Sequence, residues 1–362
     1  MLENVCISII IPIFNGKYYI KRCLDILLRQ DFKKPYEIII VNDGSTDDTK
    51  GIIKLYNSNK IRFYSLLKNK GPSFARNIGL KKAKGEYVMF VDIDDTITTN
   101  ILSILYGVAK KNNSDIIFSD KGWIENSKNQ RKNHFIFPKD KKFKKYQLIK
   151  IMKKRFNDPV SNIGIFNLTG RLIRRSIIIE NHICFEEKLR YLEDETFIWD
   201  ILPFVKNANY IRKQLYSYHV NPNVNSALSE GLSKVFPISY FKLVKNHVEN
   251  SLNKTGIQKV EIKNIVDQAL IYLIISGLVS LSRSIILRKI DKKKGIIKRK
   301  KIIKEVLNDQ DVAKSIKNYE ISKQESSLIP IAILSRSYDE LEFACDKRAM
   351  EILNIRRKLN KF

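Results

Sequence analysis

The sequence predicts an α/β protein, with a mostly parallel sheet covered by helices on both faces and a mainly helical extension after it. Three observations predict this. Through the first 120 residues short apolar runs alternate with segments whose apolar residues recur every three or four positions. The runs are nearly continuous rather than alternating, as in strands buried on both faces. From about Ser239 onward helical spacing takes over and basic residues dominate.

The elements follow in order. "CISIIIPIF", "YEIIIVND", "IRFYSLL", "GEYVMFVD" and "SDIIFSD" read as strands, and "YYIKRCLDILLRQ", "STDDTKGIIKLYN", "GPSFARNIGLKKA" and "TTNILSILYGVAKKN" as the helices between them. Strands alternating with helices imply right-handed crossovers and a ligand edge at the strands' C-terminal ends. That edge would hold Pro12 to Asn15, Asn42 to Ser45, Asp92 to Asp95, and Ser119 with Asp120. After Lys121 the pattern degrades into a Lys-rich stretch with interleaved Phe and Tyr, which suits short strands or a loop over the site and superficially resembles a single-stranded nucleic-acid surface. The expected organisation is 1–120 and 121–230 as two halves of one α/β domain and 231–362 as a basic helical region.

Composition sets the bounds. A chain of 362 residues exceeds what one core usually serves, and 44% hydrophobic with 29% charged residues is the balance of a folded protein. Sixty-six Lys and Arg against 38 Asp and Glu give a formal net charge of +28, a surface that attracts polyanions or else reflects a general enrichment in Lys, Ile and Asn. Cys6, Cys23, Cys184 and Cys345 form no CxxC pair and no metal-ligand spacing with a histidine, so reduced thiols and a cytoplasmic location are expected. The first apolar run lacks a basic leader and contains Pro12, so it reads as a strand and not as a signal sequence. "ALIYLIISGLVSLS" is shorter than the ~20 residues a bilayer needs and reads as a buried helix. The basic, Ile-paired stretch after it suits either a solvated helix face or an anionic membrane surface.

Two acidic motifs carry the chemistry. "VNDGSTDDT" ends the second strand; Asp43 and Gly44 turn the chain, and the carboxylate suits either a plain turn or a hydrogen bond from a uracil imide. "VDIDD" ends the fourth, and three close carboxylates raise one another's pKa unless a cation compensates. Hard divalent ions such as Mg²⁺ and Mn²⁺ prefer such oxygen ligands, completing their shells with water and substrate phosphate.

"SIIIPIFN", "IIIVNDGSTDDT", "ARNIGLKKAKGEY" and "FVDIDD" together resemble the family 2 inverting glycosyltransferases of the GT-A fold over about the first 120 residues. The resemblance implies a UDP-sugar donor, with Asp43 reading uracil and Pro12, Phe14 and Asn15 lining the nucleoside pocket. Arg76 would face the nucleotide or its phosphates, Asp92 the ribose or sugar, and Asp94 the metal, Mn²⁺ or Mg²⁺, with Asp95 assisting. Asn42 stands where many relatives have a second aspartate.

The second half matches more loosely. "EDETF" resembles the family's acidic pair, which makes Asp194 the implied catalytic base and Glu193 and Glu195 its neighbours, although acidic residues suit the first turn of any helix. His219 and Ser226, in "YSYHVNPNVNSALS", stand where relatives contact the diphosphate and close the site, and Asp120 is a further supporting candidate. No Gln-x-x-Arg-Trp element is visible, since the tryptophans are Trp123 and Trp199, so single-sugar rather than processive transfer is implied. The resemblance thus implies transfer of a hexose or N-acetylhexosamine, with inversion to a β-linked product, onto a growing surface glycan such as capsule or lipopolysaccharide. The acceptor would be carried on lipid in some such systems, with peripheral attachment at the inner membrane face. A teichoic-acid-like polyol-phosphate acceptor, or another nucleotide sugar, is the alternative within the enzymes. A nucleic-acid-binding protein is the rival outside them; it predicts indifference to Asp94→Ala, and no nucleic-acid partner is expected.

Overall fold

The computed structural model describes residues 4–125, 129–130, 137–157, 163–220, 237–287, 290–321 and 325–359. The chain divides into two compact units, Met1–Ile151 with Ser161–Val224, and Met152–Val160 with Asn225–Phe362.

The first unit opens with β1 Ile7–Ile13, α1 Ile20–Leu28, β2 Tyr36–Asn42, α2 Thr49–Lys54, β3 Ile61–Ser65, α3 Pro72–Lys82 and β4 Tyr87–Phe90. Here the apolar runs behave as their composition dictates: β1 pairs with β2 and β4, and β2 with β3, all in parallel. Alternate residues serve opposite faces. Ile7, Ile9, Ile11 and Ile13 share a core with Cys23, Leu24 and Leu27 of α1 and with Leu102 and Leu105 of α4 Ile101–Asn112. Ile10 points the other way, against α3, so closely that a Cβ on Gly79 would come within 2.4 Å of its Cγ2. A glycine lets helix and sheet meet there.

Beyond β4 the sheet departs from the parallel pattern. β5 Thr96–Ile97 precedes α4, and β6 Ile116–Glu125 follows it, running on past Asp120, where the apolar run suggested a stop. β7 Asn129–Gln130, β8 Lys141–Lys144, the greater part of α5 Lys145–Lys154, β9 Leu172–Arg174, α6 Arg175–Glu180, α7 Glu193–Ile201 and β10 Asn207–Val220 complete the unit. Among the described residues the sheet order is β3-β2-β1-β4-β9-β6-β10-β5, with β7 on β6 and β8 on β10. β9 is antiparallel to both of its neighbours, and β10 runs parallel to β6 with register shifts around Gln214.

The second unit is helical: α8 Ile238–Asn253, α9 Lys259–Ile286, α10 Lys292–Asn308, α11 Gln310–Ser315, α12 Leu328–Leu334 and α13 Tyr338–Leu359. α9 extends well beyond the apolar stretch seen in the sequence. By length and composition it could cross a membrane, yet 67% of its apolar window is buried within the protein. The basic stretch is not one helix, because Asp291 caps a new one by accepting from the Lys294 amide at 2.8 Å.

Candidate active site

The first two strand ends are sewn together. Asn15, at φ 50°, accepts from the Thr46 amide at 2.8 Å, while its own amide donates to Ser45 Oγ at 2.9 Å. Asp43 is almost wholly buried and accepts one amide on each oxygen, Lys70 and Gly71, both at 2.8 Å. Burial raises its pKa and those two amides work against the rise. Gly44 has φ +70°, and a Cβ there would fall 2.5 Å from the Lys68 carbonyl carbon, so this turn requires glycine. Phe14 is about half exposed beside the turn.

The acidic turn after β4 meets the acidic helix through one cation. Arg76 of α3 is buried and lies 3.2 Å from Asp92, 3.0 Å from Glu193 and 3.1 Å from Asp194. Burial alone would lower its pKa; the carboxylates of Asp194, Asp92 and Glu193 raise it instead. Glu193 opens α7, following Leu192 in the left-handed region at φ 65°, and Asp194 is the helix's second residue. The pKa of Asp194 is pushed up to about 7, chiefly by burial, with Arg76 opposing and Glu193 adding.

Asp94 and Asp95 part company. Burial, then Asp92, pushes Asp94 up to about 6, and Arg22 Nη2 donates to its main-chain oxygen at 2.5 Å. Asp95 is nearly inaccessible; one oxygen accepts from the Tyr216 hydroxyl at 2.5 Å and the other from the His219 amide at 3.1 Å.

Two further cations, the half-buried Lys121 and the buried Arg171, lie near these carboxylates. Lys121 Nζ donates to Thr169 Oγ1 at 2.6 Å and stands 5.0 Å from the Tyr216 ring centre. Burial, helped by Arg171, pulls its pKa down to about 8, against the pull of Asp95, Asp92 and Asp194. Arg171, lowered to about 9 by burial, feels Asp194 as well. Gly170 between Thr169 and Arg171 has φ +70°, and a Cβ there would strike the Tyr216 ring at 2.6 Å.

Five carboxylates, Asp92, Asp94, Asp95, Glu193 and Asp194, therefore outnumber the two buried arginines, Arg76 and Arg171, and the half-buried Lys121 at one edge of the sheet. Among the described residues no three His, Cys, Asp or Glu side chains converge as a metal cage. The donor set suits instead a hard divalent ion taken by one or two carboxylates, Asp94 with Asp92 beside it, the rest of its shell coming from water and phosphate.

The family model for glycosyl transferase family 2 matches residues 8–181. Poly(ribitol-phosphate) β-N-acetylglucosaminyltransferase TarP of Staphylococcus aureus (strain N315) is 32% identical over 70% of this chain and 74% of its own length. The chain belongs to glycosyl transferase family 2. Cholesterol galactosyltransferase of Borreliella burgdorferi is 30% identical over 69% of this chain and 68% of its own. The crystal structure of S. aureus TarS 1–349 in complex with UDP-GlcNAc superposes with a TM-score of 0.69 over 96% of this chain and 92% of that one, at 18% identity, a likeness of fold. The fold is accordingly GT-A with a helical C-terminal extension.

In this glycosyltransferase the structure brings Arg76, Asp92, Glu193 and Asp194 together and places Asn15 and Asp43 at the neighbouring strand ends. Pro12 sits within β1 opposite Val41. Glu195 lies in the first turn of α7. Three further candidates, like Asp43, have hydrogen-bond partners within the protein. Asp95 has both oxygens bonded inside the protein. Asp120 lies within β6, fully buried, and accepts from the Tyr210 hydroxyl at 2.5 Å. The His219 ring meets Thr96 Oγ1 at 2.5 Å, and burial, then Arg22, lowers its pKa. Ser226 lies outside the described residues. Lys121, Arg171 and Tyr216 went unread as site residues; a lysine two places past the apolar run "IIFS" and the glycine-flanked arginine of "TGR" were the available signals.

Proposed function

We propose that this enzyme transfers a hexose or N-acetylhexosamine from a UDP-sugar to a hydroxyl of a polymeric acceptor with inversion, Asp194 acting as the base. The single observation that carries this is Arg76, which ties Asp194 to Asp92 of the acidic turn and so joins a proton acceptor to the donor-binding edge. A polyol-phosphate polymer is the acceptor we favour over other surface glycans, because TarP, the relative at 32% identity, is named for one. Its anionic backbone also suits a chain of net charge +28. A cytoplasmic, non-processive catalyst completes the reading.

Each side chain then has a defined task. Asp194 takes the acceptor's proton as the hydroxyl oxygen attacks the anomeric carbon; the bond to UDP breaks and its electron pair leaves with the diphosphate. A base at about 7 is matched to neutral pH, ionised enough to act and basic enough to hold the proton. Arg76 keeps that carboxylate oriented toward the donor. Asp43 and the Asn15 turn hold the nucleoside end. Asp94 and Asp92 would hold Mn²⁺ or Mg²⁺, whose charge offsets that developing on UDP.

The test is UDP release from a panel of nucleotide sugars with a polyol-phosphate acceptor. Release should require Mn²⁺ or Mg²⁺, stop with chelator, and fall to background in Asp94→Ala. Undiminished metal-free turnover would remove the metal from the scheme, and release from other nucleotide sugars alone would remove the uridine.

A further inference from the structure

α10 presents a charge pattern that its packing does not explain. Its inward side consists of Gly295, Arg299, Ile302, Ile303 and Val306. Arg299 holds that side in place, donating to Ser282 Oγ at 2.9 Å and to Glu342 at 2.8 Å, with Asp346 also on its guanidinium. A Cβ on Gly295 would meet Ile290 at 2.7 Å, so the helix start is seated closely as well. The apolar needs of the fold are met on this side.

The outward side nevertheless carries two isoleucines. Ile296 is 37% exposed and Ile297 60%. On a helix the surface neighbours of a residue are those three and four positions away. For Ile297 all four are lysines: Lys293, Lys294, Lys300 and Lys301, each exposed. Like charges at these spacings destabilise a helix. Among the described residues the one ion pair on this face is Lys301 with Glu305, at 4.0 Å. An exposed apolar pair ringed by four lysines, with a single carboxylate paired among them, is costly in water and favourable where anionic headgroups surround an apolar interior. A soluble polyanion would satisfy the lysines and leave the isoleucines exposed, so the pair decides between the two.

We propose that the outer face of α10 docks on an anionic lipid bilayer, Ile296 and Ile297 entering the acyl boundary while the surrounding lysines meet the headgroups. This holds whatever sugar the enzyme transfers. The full chain is tested by co-sedimentation with phosphatidylcholine vesicles, with and without a minority of phosphatidylglycerol. Binding is expected only with the anionic lipid and should weaken steeply with salt. Replacing Lys293, Lys294, Lys300 and Lys301 together by Gln should weaken it on the order of 100-fold or more. Ile296→Ser with Ile297→Ser should weaken it roughly tenfold. Both variants should keep the parent's thermal melt and UDP release, since none of these residues is in the active site. The idea is overturned if the parent does not bind anionic vesicles. It is equally overturned if the isoleucine variant binds them as the parent does, or if the lysine variant loses affinity for soluble polyphosphate while keeping its affinity for vesicles.

Discussion

Arg76 and Arg299 are both buried arginines tied to carboxylates, and they do different work. Arg299 on α10 meets Glu342 and Asp346, one turn apart on α13 and each about a third exposed or more, so one helix is fastened to another. Arg76 collects Asp92 from the turn after β4 and Glu193 and Asp194 from α7, more than a hundred residues along the chain. Around it Asp194 is held up at about 7 and Asp94 at about 6, with Lys121 lowered from behind. A buried ion pair therefore says little by itself. Groups poised near neutral pH, drawn from separate segments to one edge, are what distinguish the first from the second.

Four experiments would break or sharpen that contrast. Asp194→Asn should give the largest effect, a loss of transfer of ~100- to 10,000-fold with UDP-sugar binding retained; turnover close to the parent's would move the base elsewhere. Arg76→Gln leaves three carboxylates without their shared cation and should cost about 3 kcal/mol of stability together with most of the activity. A melt matching the parent's would reduce Arg76 to a surface-like pair. Next comes pH. Transfer needs Asp194 ionised, so kcat/KM should fall about tenfold for each pH unit below about 7, where the carboxylate takes up its proton. A profile flat down to pH 5 would contradict this assignment. The smallest effect belongs to Arg299→Met, expected to lower stability by about 1–2 kcal/mol, since its partially exposed partners can rehydrate, while UDP release per folded molecule stays unchanged. Lost activity there would erase the contrast.

Legibility in the sequence followed how local each feature is. β1, β2, β3 and β4 were readable because a continuous apolar run between turn residues admits few alternatives, and their ends carried Asn15, Asp43 and Asp92. β9 was not: three residues, Leu172–Arg174, antiparallel between β4 and β6, carry no periodic signal. β10 was hidden for another reason. Arg212, Lys213 and Gln214 interrupt its apolar run just where its register against β6 shifts. The acidic turn was legible as a group but not residue by residue, because "DIDD" does not record that Asp95 belongs to Tyr216.

The amino-acid sequence alone determined the parallel half of the sheet, the acidic strand ends, the acidic start of α7 and the helical extension. All are set by patterns within a few turns or one strand. Only the tertiary structure decided which carboxylates share Arg76, that Lys121 and Arg171 come near them, and that Asp95 is bonded within the protein. Proton affinities depend on burial and on charges a few ångströms away, and residues scores of positions apart acquire such neighbours only when the chain has folded.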